Sequence, residues 1–301
     1  MLTAFQLPKT SREWQAVVGV DSQSFARLCD QAHQSYHDLR GCSYQEMLSG
    51  NAKGNLARFK TLEDLIFYVL LMLKSGITFD LLGFISQIDH ANAHRKFELG
   101  LDILAHTIAD TGHGPYRDFD EVSHLHAAIP KGSTILLDGT EQRTQRPTDQ
   151  GLQKDFYSGK KKGHTVKSLI ISTPDRYIHF VSYCWVGRTH DFTVLKEEFP
   201  SGDGWFDDYV VRVDLGYLGF EKEYPNVKIF IPSKKPRKQE LTEWQKEENK
   251  NLAKERITVE HSIGGMKRYD FLSNTCRLHD WETYDKVLFT CAGLWNFFIT
   301  R

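Results

Sequence analysis

Apolar residues recur at helical spacing through the first third of the chain and at strand spacing through its middle. Ser22-Gln23-Ser24-Phe25-Ala26-Arg27-Leu28-Cys29 gives a polar start and then apolar positions three and four apart, which predicts a helix. Residues 43–58 hold Gly50, Asn51, Gly54 and Asn55 and read as a loop. Thr61-Leu62-Glu63-Asp64 resembles a capping box, with Asp64 in place of the customary glutamate. It opens a helix over 62–74 that Gly76 ends. A short helix over 78–85, a break at 86–89 and a longer helix over 91–107 give helix, tight turn, helix. Such a layout can put the start of its second helix, with His90, Asn92, His94 and Arg95, into a DNA major groove. A helical bundle packed for stability accounts for the same pattern equally well.

Residues 111–132 carry Gly112, Gly114, Pro115, Pro130 and Gly132 and read as a connection between domains. The texture then changes to β. Residues 134–137 form a buried strand, and 164–173 and 177–186 form a hairpin around Pro174-Asp175-Arg176. A helix over 191–198 precedes strands at 209–213 and 227–231. Residues 239–255 are a charged helical stretch around Trp244, and 256–299 are mainly helical with an apolar end. Strand, hairpin, helix, strand, strand, helix is the order of a ribonuclease H-like α/β fold: a mixed five-stranded sheet flanked by helices. The first strand and the strand after the helix then lie side by side, at the end of the sheet where α/β proteins bind ligands. The expected domains are a helical one over 1–115 with the helix-turn-helix-like segment, and a catalytic one over 130–301.

Composition narrows the class. Of 301 residues, 40% are hydrophobic and 26% charged, the profile of a globular protein with an ample core. The richest apolar run, 65–73, is too short for a membrane helix, which needs about 20 residues. The N-terminus lacks the basic-then-apolar signature of a signal peptide, so the chain is expected to stay inside the cell. Cys29, Cys42, Cys184, Cys276 and Cys291 are scattered and contain no C-x-x-C pair, which predicts buried free thiols. The net charge of −1, from 38 Lys+Arg and 39 Asp+Glu, is not that of a strongly basic nucleic-acid binder. Charge is nevertheless clustered, at Lys160-Lys161-Lys162 and at Lys234-Lys235-Pro236-Arg237-Lys238. Local patches are what a phosphate backbone senses.

Three carboxylates carry the candidate chemistry. Asp138 ends the apolar run 135–137, Asp214 ends the run 210–213, and Glu260 lies in a helix. Converging carboxylates are tolerable only around divalent cations, and an oxygen-only ligand set suits Mg²⁺ or Mn²⁺. A pair of such ions serves phosphoryl transfer. At about 100° per residue, Arg256, Glu260 and Lys267 fall at roughly 0°, 40° and 20° and share a helix face. An exposed ion pair beside an unrelated lysine is the plainer explanation of that face. Asp191 stands at a helix start, where aspartate serves as a cap, and His164 and His190 read as hydrogen-bonded structural histidines. The Lys160–Lys162 run and nearby Lys167 suit either a solvated loop or phosphate contact.

The blocks Leu136-Leu137-Asp138-Gly139-Thr140-Glu141, Phe156 through Lys167, Gly187-Arg188-Thr189-His190-Asp191, Asp214-Leu215-Gly216-Tyr217 and Arg256 through Lys267 occur in order between about 130 and 270. Together they resemble the DDE transposases of the insertion-sequence family-five and Harbinger-like type, the DDE superfamily endonucleases. The resemblance implies a metal triad of Asp138, Asp214 and Glu260 holding two Mg²⁺ or Mn²⁺ ions. It implies supporting roles for Asp191 and His190, and DNA contacts from Arg256 and Lys267. The implied activity is strand cleavage at transposon ends and transfer into target DNA. The implied partners are terminal inverted repeats, target DNA and further copies of the chain, as a homodimer or larger assembly. The location would be the cytoplasm, at the nucleoid, in a bacterium and the nucleus in a eukaryote. A DNA-binding derivative without cleavage activity, or a host nuclease of the same fold, is the alternative. The chain departs from the group's tyrosine-arginine-glutamate-lysine signature, since Ala253 stands at the tyrosine position; Tyr217 and Trp244 are the candidate substitutes.

Overall fold

The computed structural model describes residues 4–50, 58–235, 240–278 and 280–300, with the backbone alone at Glu255 and Arg256. The chain divides into two compact units, Met1–Gly114 with Met266–Arg301, and Pro115–Gly265. Residues 266–301 thus group with the N-terminal helices, whereas the sequence suggested that they belong with the sheet.

The first unit is helical: α1 (Ser11–Val18), α2 (Ser22–Arg40), α3 (Tyr44–Gly50), α4 (Leu62–Ser75), α5 (Phe79–Ser86) and α6 (His90–Asp110). Helices α12 (Asp270–Ser273) and α13 (Trp281–Ile299) complete it. α6 packs against α2, α4, α5 and α13. The apolar run 65–73 lies within α4 and is buried on nearly every side, which explains its uniform hydrophobicity. Close approach of α4 and α6 depends on Gly100, where a Cβ would come 2.5 Å from Val69. Among the described residues, no helix is long and apolar enough to cross a membrane.

Thr61 caps α4 as expected, its hydroxyl accepting from the N–H of Asp64 at 3.2 Å. The buried Asp64 carboxylate accepts from the backbone N–H of Ala4, at 2.9 Å, and from the Thr61 hydroxyl. Residues 43–50 are not loop. Ser43 and Glu46 form a reciprocal capping box, the Ser43 N–H donating to Glu46 at 2.7 Å and the Glu46 N–H to the Ser43 hydroxyl at 3.2 Å, and it starts α3. The loop reading of residues 51–57 lies outside the described residues. α5 and α6 are joined by residues 87–89. Gln87 adopts a left-handed conformation (φ 58°), and Asp89 caps α6 by accepting from the Asn92 N–H. This is the expected helix, tight turn, helix.

The second unit is built on a mixed sheet. Its strands are β1 (Thr134–Arg143), β2 (Tyr157–Ser158), β3 (Gly163–Ser172), β4 (Ile178–Val181), β5 (Trp185–Val186), β6 (Val210–Arg212) and β7 (Lys228–Phe230). Its helices are α7 (Val122–Ala128), α8 (Gln150–Phe156), α9 (Asp191–Glu198), α10 (Phe220–Glu223) and α11 (Glu243–Met266). The order across the sheet is β2-β3-β1-β6-β7, with β4 and β5 each paired to β3. The architecture is α/β, a curled mixed sheet flanked by helices, and β1 and β6 are parallel neighbours as expected. Seven strands are described rather than five. The predicted second arm of the hairpin is divided into β4 and β5, and Tyr157–Ser158 adds a short edge. α7 falls in the stretch read as a connection, and α8 and α10 in stretches to which the sequence assigned no element.

Side chains alternate across the sheet. Ile135, Leu137, Leu169, Ile171, Val211 and Val213 point into one core with Val194 and Leu195 of α9 and the rings of Phe199, Phe206, Phe220 and Tyr224. Fully burying a side chain of this size stabilises by about 1.5–3 kcal/mol, so this layer anchors the strands that carry the candidate residues.

Candidate active site

β1 does not stop at Asp138. It runs on to Arg143, paired antiparallel with β3 along its length, while its parallel partner β6 ends at Arg212. The β1–β6 register pairs Thr134 with Val210, Ile135 with Val211 and Leu136 with Arg212. The ladder stops there; the same register continued for two residues would bring Asp138 level with Asp214, at the spacing of about 4.8 Å that separates neighbouring strands. Each carboxylate is held by the backbone of a downstream glycine. The Gly139 N–H donates to Asp138 Oδ1 at 2.8 Å, and the Gly216 N–H donates to Asp214 Oδ1 at 2.7 Å. Asp214 thereby caps the 3-10 turn Leu215–Tyr217.

Asp191 is the first residue of α9. The cap is His190, whose Nδ1 accepts from the Phe192 N–H at 3.3 Å. The Asp191 side chain reaches back over β1, so that a Cβ at Gly139 would lie 3.1 Å from its Oδ1. A Cβ at Gly216 would lie 3.7 Å from its Oδ2. Asp191 therefore borders the space over both glycines. Its Oδ1 is also 2.8 Å from Nζ of Lys167, which stands 3.4 Å from Oε1 of Glu141. The Thr165 hydroxyl donates to the other oxygen of Glu141, at 3.2 Å.

This arrangement corrects the expectation for Lys167. Its side chain is only 6% exposed, and its ammonium is enclosed by carboxylates instead of facing a phosphate backbone. Glu141 was missed as a partner. The signal for it was strand alternation, which puts Glu141 on the same face as Leu137 and opposite Lys167 in register.

Glu260 is exposed on α11, beside the buried Val259 and Ser262. α11 is tied at one end by Asn249, bonded to both the N–H and the carbonyl of Ser233, and near the other by Ser262, whose hydroxyl donates to the Arg176 carbonyl. Among the described residues, no group of three or more His, Cys, Asp or Glu side chains is gathered closely enough to hold a metal ion. Glu260 is thus not gathered with the two aspartates into such a group. The predicted helix face is also shortened. α11 ends at Met266, just past Gly264 and Gly265, and Lys267 falls in the turn that follows. The side chain of Arg256 lies outside the described residues, as do Pro236, Arg237 and Lys238 of the second basic cluster.

Lys160, Lys161 and Lys162 are exposed at the turn between β2 and β3, which Lys162 closes in a left-handed conformation (φ 48°). Arg143, exposed at the end of β1, donates to the Lys161 carbonyl at 3.0 Å, and Arg146, Lys154 and Arg188 are exposed nearby in the sequence. The ring of His164 meets Tyr157 edge-on. Arg95 is exposed on α6 and donates to Asn92. Of the two candidates for the missing tyrosine, Tyr217 is fully buried in the aromatic core and cannot stack on a nucleic acid, whereas Trp244 is 70% exposed.

Two carboxylates 4 Å apart repel by about 4 kcal/mol at an effective dielectric constant near 20. Were Asp138 and Asp214 that close, a hard, oxygen-preferring cation would relieve the repulsion, and their all-oxygen donor set suits one.

Comparison with known proteins agrees with the geometry. The chain is 35% identical over 144 residues to a probable transposase for insertion sequence element IS702 from Microchaete diplosiphon, 48% of this chain and 49% of the relative. It thus spans about half the length of the curated relative it matches. No solved structure matches the chain. Residues 137–296, which include Asp138, Lys167, Asp191, Asp214 and Glu260, match the family model described as DDE superfamily endonuclease. The chain belongs to the DDE superfamily endonucleases.

Proposed function

We propose that the chain is a transposase that cuts DNA at transposon ends and joins the released 3′-hydroxyl to target DNA, using a ribonuclease H-like catalytic domain. The reading is supported by the parallel β1–β6 register, which continued by two residues would set Asp138 level with Asp214, and by the backbone N–H that fixes each aspartate, in a segment matching the endonuclease family. Asp138 and Asp214 would hold divalent cations, Mg²⁺ or Mn²⁺; Glu260 of α11, which is not gathered with them in this structure, would complete the set only once drawn to the bound ions. When bound, two such ions would activate the attacking oxygen and stabilise the leaving one. The chain's own part is to align the aspartates and to bring the phosphate backbone to them. Lys160, Lys161 and Lys162, with Arg143 and Arg146, offer the positive charge for that backbone. Arg256 and Lys267 flank Glu260 in sequence and contact the same DNA, and Arg95 on α6 supports recognition of the inverted repeat. Joining two ends requires a dimer or larger assembly.

The test is Asp138→Asn on a DNA fragment carrying the element's terminal repeat. The amide keeps the side chain's shape and removes its charge. Cleavage should fall by at least about 10³-fold, some 4 kcal/mol of barrier, while DNA affinity stays within about threefold, since the contacts to phosphate are elsewhere. Normal Mn²⁺-dependent cleavage by this variant would end the assignment.

A further inference from the structure

Lys167 is a cation that the proposed chemistry leaves without a task. Its ammonium is buried between Asp191 and Glu141, at 2.8 and 3.4 Å. Enclosing an ion pair is a weak source of stability, because desolvation offsets most of the attraction. Its consequence here is geometric. The Asp191 carboxylate occupies the space that a side chain at Gly139, whose N–H holds Asp138, would enter, and borders the space over Gly216, whose N–H holds Asp214. Both positions are glycine, and at Gly139 a Cβ would approach Asp191 to 3.1 Å, tighter than an ordinary contact. One carboxylate therefore borders the space over both glycines, and one buried lysine fixes that carboxylate.

We propose that Lys167, acting through Asp191, is a positioning residue that sets the spacing of Asp138 and Asp214 so that both reach the same cation. This rests on the proposed role of the two aspartates. In this arrangement Lys167 makes no contact with DNA. Asp191, already neutralised by the ammonium, is not a cation ligand.

The experiment measures Mn²⁺ binding to the full chain by calorimetry, Mn²⁺ half-saturation of cleavage, and the salt dependence of DNA binding. The variants are Lys167→Met, Lys167→Arg and Asp191→Asn. Loss of an outer partner of this kind weakens metal binding by about 10–100-fold. Lys167→Met and Asp191→Asn should both raise the Mn²⁺ dissociation constant and half-saturation by that factor. Turnover at saturating Mn²⁺ should stay within about threefold, and the salt slope of DNA binding should not change. Lys167→Arg, which keeps the charge, should recover part of the loss. If Lys167→Met does not fold, Asp191→Asn and Lys167→Arg carry the test. Wild-type Mn²⁺ affinity in Asp191→Asn or in folded Lys167→Met overturns the proposal. So does a fall in the salt slope of about one with metal binding intact, the mark of a phosphate contact. Asp138→Asn separates the two levels. If it loses Mn²⁺ binding while Lys167→Met keeps it, only the positioning role fails; if it keeps both Mn²⁺ binding and cleavage, the aspartate site itself fails.

Discussion

On one face of the sheet, Ile135, Leu137, Leu169, Ile171, Val211 and Val213 meet a layer of aromatic rings. On the other, the alternate positions of the same strands mix the apolar Leu136, Val166 and Ile170 with Asp138, Thr140, Gln142, Ser168 and Ser172, and β6 adds Arg212. The first face is a packed core in which every side chain loses water and gains contacts. The second buries hydroxyl and amide groups that the hydrophobic effect does not reward. Thr140 and Ser168 face each other in register, and neither hydroxyl has a hydrogen-bond partner among the described residues. The first face is therefore uniformly apolar where its strands meet the rings, whereas the second mixes apolar burial with the polar groups around Asp138. Towards the far end of β1 even the apolar side changes character. The row Leu137, Gly139, Glu141 opposite Ile171, Leu169, Lys167 passes from hydrocarbon to a slot for Asp191 and then to a buried ion pair.

The largest break in this comparison should come from the aromatic layer. Phe206 is fully buried, with ring centroids 5.2 Å from Phe199, 6.0 Å from Phe220 and 5.5 Å from Tyr224. Phe206→Ala should cost about 3–5 kcal/mol in urea unfolding, through lost transfer energy and the cavity left behind. A cost below about 1 kcal/mol would mean that this layer does not hold the sheet. Val211→Thr asks the same of one strand position at nearly constant volume. A hydroxyl placed among Ile135, Val213 and the rings should cost about 1–3 kcal/mol, because nothing there accepts its hydrogen bond.

The unequal faces also explain what could be read in the sequence. An apolar run marked 134–137 as a strand, richness in β-branched and aromatic residues marked 164–173, and the β1–β6 adjacency followed from the order of elements. Asp138 and Asp214 stood out because each ends an apolar run. Polar positions carry no such periodic signal. The sequence could not tell that β1 continues through Asp138 to Arg143, because Gly139-Thr140-Glu141-Gln142 lacks an apolar row while pairing in full with β3. Lys167 looked like a surface lysine because its burial depends on carboxylates 26 residues before it and 24 after it, beyond the reach of local pattern. Helix α3 was legible in Ser43-Tyr44-Gln45-Glu46, but neighbouring glycines and asparagines masked it. Glu260 was correctly placed on a helix; its position relative to the aspartates is tertiary and left no trace in spacing.

The smallest expected effect is the sharpest test of the polar face. Thr140 is buried, two residues from Asp138 on the same side of β1, and its hydroxyl has no hydrogen-bond partner among the described residues. Valine has nearly the same shape, so Thr140→Val removes a desolvated polar group without opening a cavity. Where both members of a polar contact are dispensable, such an exchange is neutral or stabilising. The expectation is a gain of up to about 1 kcal/mol in urea unfolding, opposite in sign to Val211→Thr. Equal losses from both exchanges would mean that the hydroxyl of Thr140 is satisfied in the folded protein. The two faces would then differ in residue type but not in energetic logic. A gain would show that β1 keeps a polar residue beside Asp138 at the expense of its own stability, as expected where a strand serves a reaction as well as a fold.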